Sequence, residues 1–135
     1  MSPVGLTKDA GWEIGVSRTI DAPIEAVWDL LVSPAGTDLW LGAGAALPTA
    51  KGDRYKGDDG ATGELRSRNP HDRVRLTQVR PGRDGESTIQ VAMRAKGGRT
   101  RVTFHEERLH DADEREARRT HWQAVMDDFE HTLTA

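Results

Sequence analysis

The C-terminal segment from Asp111 to Leu133 constrains the fold most, because its spacing predicts a long helix that is apolar along one side only. The apolar stripe consists of Trp122, Val125, Met126, Phe129 and Leu133. These positions recur every three or four residues and therefore fall on one helical face. Such a helix is stable when its stripe packs against another apolar surface, so the rest of the chain must supply one.

The chain before this helix supplies that surface as β-strands. Predicted strands extend over Trp12 to Ile20, Arg54 to Lys56, Thr62 to Arg68, Arg73 to Val79, Ser87 to Ala95 and Thr100 to Glu107. The longer ones alternate polar and apolar side chains, which is typical of a strand with one buried face. Short turns rich in Gly, Pro, Asn and Asp separate the last five strands, so neighbours are expected to pair antiparallel.

Two short helices are predicted between the first and second strands. Pro23 lies in the first turn of one helix, and Ser33 can cap a second helix that runs to Trp40. The predicted fold is therefore α+β, with a six-stranded antiparallel sheet, these two short helices and the long C-terminal helix. We expect one domain over residues 1–135, in which residues 1–11 form an irregular or disordered segment.

The composition excludes several classes of protein. The chain contains no cysteine, which rules out disulfides, thiolate metal sites and cysteine nucleophiles. No apolar run is long enough for a signal peptide or a membrane span, so a cytoplasmic location without membrane insertion is expected. Between residues 51 and 110, the 14 Lys and Arg residues outnumber the 9 Asp and Glu residues, while both flanks are acidic.

Six arginines of this basic segment fall mostly on outward strand positions. Pairing with acids on neighbouring strands is the predicted role of Arg66, Arg68, Arg73, Arg75, Arg94 and Arg101. Binding of nucleic acid is not expected, because exposed aromatic residues do not interleave with the basic ones.

Several local strings resemble one known family. They are Val16 to Pro23 leading into Val27-Trp28, Ser33-Pro34 leading to Trp40, Gly52 to Tyr55, Asp59 to Glu64, Gly98 to Thr103, and Trp122 in the last helix. In this order they resemble the C-terminal-like domain of activators of the heat-shock-protein-90 ATPase. That family belongs to the SRPBCC group, which shares the helix-grip fold with START lipid-transfer domains, the birch-pollen allergen and aromatic polyketide cyclases.

The resemblance implies a sheet that curves around the last helix and leaves an apolar cavity between them. The positions expected to line that cavity are Trp40, Leu41, Tyr55, Leu65, Leu76, Met93, Phe104, Arg118, Trp122, Met126 and Phe129. Ordinary core packing is the alternative role of each apolar member. The sequence departs from many relatives at Leu41, where a second Trp is frequent, and at His121, where Gly is common.

Few residues suggest catalysis. His121, at the edge of the apolar stripe, is the one histidine considered for proton transfer, and it has no evident partner. His105 and Glu107 share a strand face, but no third metal ligand is evident, so neither a metal site nor a cofactor is predicted. The Gly42-Ala43-Gly44 string follows a helix rather than a strand and is interpreted as a loop.

Three functions remain open at this point. The leading hypothesis is a non-catalytic carrier or sensor that holds a small hydrophobic or aromatic molecule, including a lipid or polyketide, in the cavity. The second is an enzyme of the polyketide-cyclase or hydrolase kind that uses the same cavity. The third is a protein-interaction or co-chaperone-like module, and the chain would be a monomer or a homodimer in any of these roles.

Overall fold

The computed structural model describes residues 5–7 and 11–135. The strands are β1 (Leu6–Thr7), β2 (Gly11–Ile20), β3 (Arg54–Lys56), β4 (Thr62–Asn69), β5 (Arg73–Gln78), β6 (Ser87–Lys96) and β7 (Arg99–Leu109). The helices are α1 (Ile24–Val32), α2 (Pro34–Trp40) and α3 (Ala112–Thr134). All six predicted strands and all three predicted helices are therefore confirmed, and most of their ends agree within two residues.

The segment 1–11 was expected to be irregular, and residues 1–4 and 8–10 of it lie outside the described residues. Within the described part, Leu6 and Thr7 form the two-residue strand β1, which pairs with Trp12 and Gly11. This short strand adds an edge to the predicted six-stranded sheet without changing its topology.

The sheet has the order β1-β2-β7-β6-β5-β4-β3, and all neighbours pair antiparallel. The strands from β3 to β7 follow one another as a meander, whereas β2 pairs with the last strand β7 from the far end of the chain. The curved sheet packs around α3, so the predicted α+β helix-grip fold is confirmed. None of the helices in the described part of the chain combines the length and apolarity needed to cross a membrane.

The two short helices are joined by a tight corner at Ser33. The Ser33 side chain accepts a hydrogen bond from the Gly36 amide at 3.1 Å, which caps α2, and Pro34 begins that helix. A Cβ on Gly36 would lie 1.6 Å from the Leu30 carbonyl oxygen, so only glycine fits at this contact. The Trp40 indole then donates to the Leu31 carbonyl at 2.8 Å, which fixes the end of α2 against α1.

Helix α3 begins at a cap formed by Asp111, whose side chain accepts from the Glu114 amide at 2.7 Å. Its apolar stripe is buried against the sheet, with Trp122, Met126 and Phe129 fully inaccessible to solvent. At the rim, the Arg18 guanidinium of β2 donates to Asp127 at 2.7 Å and to Glu130 at 3.1 Å. Apolar contact therefore holds the inner side of α3, and ion pairs hold its edge.

Candidate functional site

The inner face of the sheet becomes polar at one end, where Glu106 on β7 is completely buried. One of its oxygens, Oε1, accepts from Arg118 Nε at 2.6 Å and from Trp122 Nε1 at 3.0 Å. The other, Oε2, accepts from Arg80 Nη1 at 2.7 Å and from Ser87 Oγ at 2.5 Å. All the hydrogen-bonding capacity of this carboxylate is thus directed at donors from α3, β6 and the residues after β5.

Electrostatics keep this carboxylate ionised. Burial raises the pKa of Glu106, but the Arg118 charge, the Ser87 hydrogen bond and the Arg80 charge together outweigh it and hold that pKa below its ordinary value. Burial lowers the pKa of Arg118, while Glu106 acts in the opposite direction. Because a guanidinium retains its proton in proteins, the site contains a buried ion pair rather than two neutral groups.

A second carboxylate extends this network towards the surface. Glu114, in the first turn of α3, accepts from Arg83 at 2.7 and 2.9 Å and from Arg80 Nη2 at 2.9 Å. The Arg83 hydrogen bond is the main reason that the pKa of Glu114 falls to about 2. Arg80 bridges the two carboxylates, so the start of α3, the chain after β5 and the end of β7 are fixed relative to one another.

A pocket of about 200 Å³ opens beside Arg80 and Arg118. The residues around it come from α2 and the loop after it, from the β3–β4 turn, from the end of β5 and from α3. They are Asp38, Leu39, Trp40, Leu41, Gly42, Asp59, Ala61, Gln78, Arg80, Arg118 and His121. The pocket therefore combines an apolar wall from the end of α2 with two guanidinium groups, an imidazole and the carboxylates of Asp38 and Asp59.

Arg118 is the best placed of these groups to bind a ligand. Its side chain is 12% exposed, and Nε is held by Glu106. Among the described residues, Nη1 and Nη2 have no hydrogen-bond partner. The guanidinium also lies 5.5 Å from the centre of the Trp122 ring, a cation–π distance that restrains it further. An arginine fixed through Nε and open at its terminal nitrogens can bind a carboxylate or another oxyanion through two hydrogen bonds.

His121 lies one turn further along α3, and its ring contacts Trp122 edge-on at 4.8 Å between centroids. The residue retains solvent exposure. Burial of the ring by the surrounding protein is the main cause that lowers the pKa of His121 to about 4, and the Arg118 charge is the second cause. The imidazole is therefore neutral at pH 7. It can donate one hydrogen bond and accept another at the mouth of the pocket.

The structure divides the predicted site residues into two groups. Trp40, Leu41, Arg118 and His121 line the pocket together. The others are buried in the core, namely Tyr55, Leu65, Leu76, Met93, Phe104, Trp122, Met126 and Phe129.

Ring contacts connect several of the core residues. Phe104 stacks on Trp122 with 5.2 Å between centroids and an interplanar angle of 11°, and it meets Phe129 edge-on at 5.8 Å. The Tyr55 hydroxyl donates to the Thr77 carbonyl at 2.7 Å, and burial raises the pKa of Tyr55. These rings occupy space between the sheet and α3 in this conformation.

Sequence reasoning missed Glu106, Arg80 and Gln78. The alternation of β7 contains a signal for the first of these, because His105 and Glu107 point outward and Glu106 must then point inward. No sequence pattern shows that Arg80, which follows β5, reaches the same carboxylate. Gln78 is the last residue of β5, and its side-chain amide lies 3.5 Å from the Leu41 carbonyl at the pocket.

On the outer face of the sheet, His105 and Glu107 gain a neighbour that the sequence did not indicate. Glu13 lies beside them across the β2–β7 pair, and one ligand atom from each of the three lies within 4.8 Å of the others. Arg75 Nη2, however, donates to Glu107 at 2.6 Å. Since an arginine already neutralises one carboxylate, we assign no metal to this cluster.

The family model described as "Activator of Hsp90 ATPase homolog 1-like protein" matches residues 21–134. The chain belongs to this family. The match extends from three residues before α1 to the last residue of α3, so it includes the residues that form the Glu106 network and the pocket. No curated protein sequence matches this chain.

Solved structures confirm the fold of this family member. CalU16 from Micromonospora echinospora superposes with a TM-score of 0.78 at 16% identity, over 90% of this chain and 76% of that one. The Aha1 dimer from Colwellia psychrerythraea gives 0.74 at 17% identity, over 90% and 95%. PFC0360w, an HSP90 activator from Plasmodium falciparum, gives 0.74 at 15% identity, over the same shares. At these identities the likeness establishes the helix-grip architecture alone.

Proposed function

We propose that this protein is a non-catalytic carrier or sensor that binds a small molecule in the pocket beside Arg118. The observation that supports it most directly is the state of that arginine. Buried Glu106 holds Nε at 2.6 Å, while the terminal nitrogens have no partner among the described residues. A guanidinium held in this way loses little conformational entropy when it binds an oxyanion, which favours affinity.

The rest of the pocket wall indicates what else the ligand carries. Leu39, which is partly exposed, and the edges of the otherwise buried Trp40 and Leu41 form an apolar wall against which a small ring can pack. The volume of about 200 Å³ is close to the ~150 Å³ of a cavity that holds one benzene molecule. The proposed ligand is therefore a single substituted ring, or a fragment of that size, with a carboxylate or phenolate directed at Arg118.

A larger hydrophobic ligand would have to enter between the sheet and α3. Phe104 and Trp122 are stacked there and fully buried. Displacing that pair would expose or strain two large side chains, which opposes deep insertion of a ligand. We therefore place the ligand at the mouth, with Trp122 beneath Arg118 rather than in contact with the ligand.

A cyclase-like or hydrolase-like enzyme is a second candidate, because neutral His121 and Arg118 line the same pocket. In a cyclisation His121 would take a proton from carbon, and in a hydrolysis from the attacking water, while Arg118 stabilised the oxyanion that forms. A base whose conjugate acid has a pKa of about 4 is weak at pH 7, where efficient general bases have pKa values near the working pH. This mismatch favours binding over catalysis.

Binding can be tested by calorimetry with benzoate, 4-hydroxybenzoate and 1-naphthoate, each compared with its neutral amide. We expect the carboxylates to bind at least tenfold more tightly than the amides. His121→Trp should block the mouth without touching Glu106, and Arg118→Gln should remove the preference for the carboxylate. Arg119→Gln, on the exposed side of the same helix turn, is the matched control and should bind normally.

Equal binding of acids and amides, or no binding at millimolar concentration, would contradict the proposal. If His121→Gln retained binding but abolished turnover of a carbonyl substrate, the enzyme would replace the carrier as the function of this pocket.

A further inference from the structure

The hairpin formed by β6 and β7 carries four cations on its outer face. The strand register places Arg94 directly opposite Arg101, and Lys96 directly opposite Arg99. All four side chains are exposed. Among the described residues, none of them forms a side-chain hydrogen bond or an ion pair. Their neighbours on β2 and β6 are neutral, since Thr19 lies opposite Arg101 and Ala92 lies two residues before Arg94.

These opposed cations lower the stability of the folded protein. Like charges directly opposite each other on neighbouring strands are destabilising, and opposite charges there are stabilising. Elsewhere the outer face contains opposite-charge pairs, because Arg54 on β3 lies directly opposite Glu64 on β4 at 3.9 Å, and Arg75 on β5 reaches across β6 to Glu107 on β7 at 2.6 Å. Of the arginines predicted to pair with acids on neighbouring strands, Arg75 reaches an acid on another strand, whereas Arg94 and Arg101 face each other.

A shallow depression of about 460 Å³ lies on the same face. Arg73, Arg94, Lys96 and Arg101 surround it, together with the neutral side chains of Gln90 and Thr103. One acid, Asp72, also lies at its edge, 3.7 Å from Arg73. The described residues around the depression include no aromatic side chain, so bases of a single-stranded nucleic acid would find no ring to stack on.

We propose that this basic face binds an extended acidic segment of a partner protein. Cations two residues apart on one strand are separated by about 6.6 Å, and so are alternate side chains of an extended peptide. Carboxylates at every second position of the partner can therefore meet Arg94 and Lys96, or Arg99 and Arg101, in register. Arginine suits this role because its planar donors bind a carboxylate through two hydrogen bonds.

The test uses a fluorescent peptide of alternating Glu and Ser, followed by anisotropy at low and high salt. We expect binding that weakens with salt, and a loss of affinity of about tenfold or more in the Arg94→Gln/Arg101→Gln variant. The matched control is Arg54→Gln/Arg119→Gln, which changes the net charge equally at exposed positions elsewhere and should bind as the unmodified protein does. A peptide of the same composition with its Glu residues in one block should bind more weakly.

Three results would overturn the proposal. One is the absence of binding at low ionic strength. Another is an equal loss of affinity in the control variant, which would reduce the effect to net charge. The third is binding of single-stranded DNA or polyphosphate at least as tightly as the alternating peptide, with the same dependence on Arg94 and Arg101. None of these results depends on the Arg118 pocket, so the two proposals are tested separately.

Discussion

Replacing Glu106 with Gln tests the network that holds the candidate site. The substitution preserves the shape of the side chain but turns one of its two acceptor oxygens into an NH₂ donor. Each oxygen of Glu106 accepts two hydrogen bonds. Whichever oxygen is replaced, its two donors then face an NH₂ group that donates and cannot accept from them. Arg118 and Arg80 also lose the charge that compensates their partial burial.

The size of the effect follows from these contacts. A hydrogen bond to a charged group contributes ~1.5–3 kcal/mol, and two are lost. A second estimate comes from buried ion pairs, in which the removal of one partner lowers the free energy of unfolding by ~3–5 kcal/mol. We therefore expect Glu106→Gln to lower the free energy of unfolding by about 3–5 kcal/mol, and to lower the melting temperature by roughly 10–20 °C in a chain of this length.

Guanidinium titration followed by tryptophan fluorescence would measure this loss, with Glu107→Gln as the control. Glu107 is the next residue on β7, points outward and pairs with partly exposed Arg75. Because Arg75 is 38% exposed and can be solvated when its partner is neutral, the control should lose no more than about 1.5 kcal/mol. A loss below about 1 kcal/mol in Glu106→Gln, or equal losses in the two variants, would refute the reasoning from buried hydrogen bonds.

Three further predictions concern other parts of the chain. Arg94→Glu creates an opposite-charge pair with Arg101, so the free energy of unfolding in denaturant should rise by about 0.2–1 kcal/mol, and a fall would contradict the register argument. Glu114 has a folded-state pKa of about 2, below its unfolded value, so its contribution is complete above pH 4.5 and is lost as the pH falls towards 2. Acid titration of stability should show this loss, at most about 3 kcal/mol, and Glu114→Gln should flatten that part of the curve. Gly36→Ala should lower the melting temperature by separating α1 from α2, because its Cβ would overlap the Leu30 carbonyl, whereas an unchanged melting temperature would show that this corner can relax.

The fold could be predicted from the sequence because its determinants are local. Turn residues such as Gly97 and Gly98 end the strands, and Gly97 adopts the positive φ of 64° that the tight hairpin requires. Ser33 acts as the cap that its position suggested, and Asp111 caps α3. Once the elements are known, the apolar stripe of α3 leaves the sheet as the surface on which it can pack.

The candidate site was less predictable because its determinants are distant in sequence. Periodicity assigns Glu106 to the inner face, but it does not identify the donors that make burial of a carboxylate tolerable. Those donors are Arg80, Ser87, Arg118 and Trp122, which lie 12 to 26 residues away. The apolar positions were assigned to a cavity from family resemblance, and composition alone cannot distinguish a cavity wall from a stacked pair such as Phe104 and Trp122.

The energetics of the buried network also favour a binding role over a purely structural one. Well-packed apolar residues that replace a buried ion pair usually leave a protein as stable or make it more stable, so folding alone does not explain Glu106 and Arg118. The opposed cations of the β6–β7 hairpin present the same problem, since acids opposite Arg101 and Arg99 would stabilise the sheet. In both places, charge is maintained where the fold does not need it and where it is accessible to a ligand: at the pocket in one case, on the open sheet face in the other. A bound anion would supply the acceptor that the terminal nitrogens of Arg118 and the four hairpin cations lack among the described residues, which is the common step in both proposals.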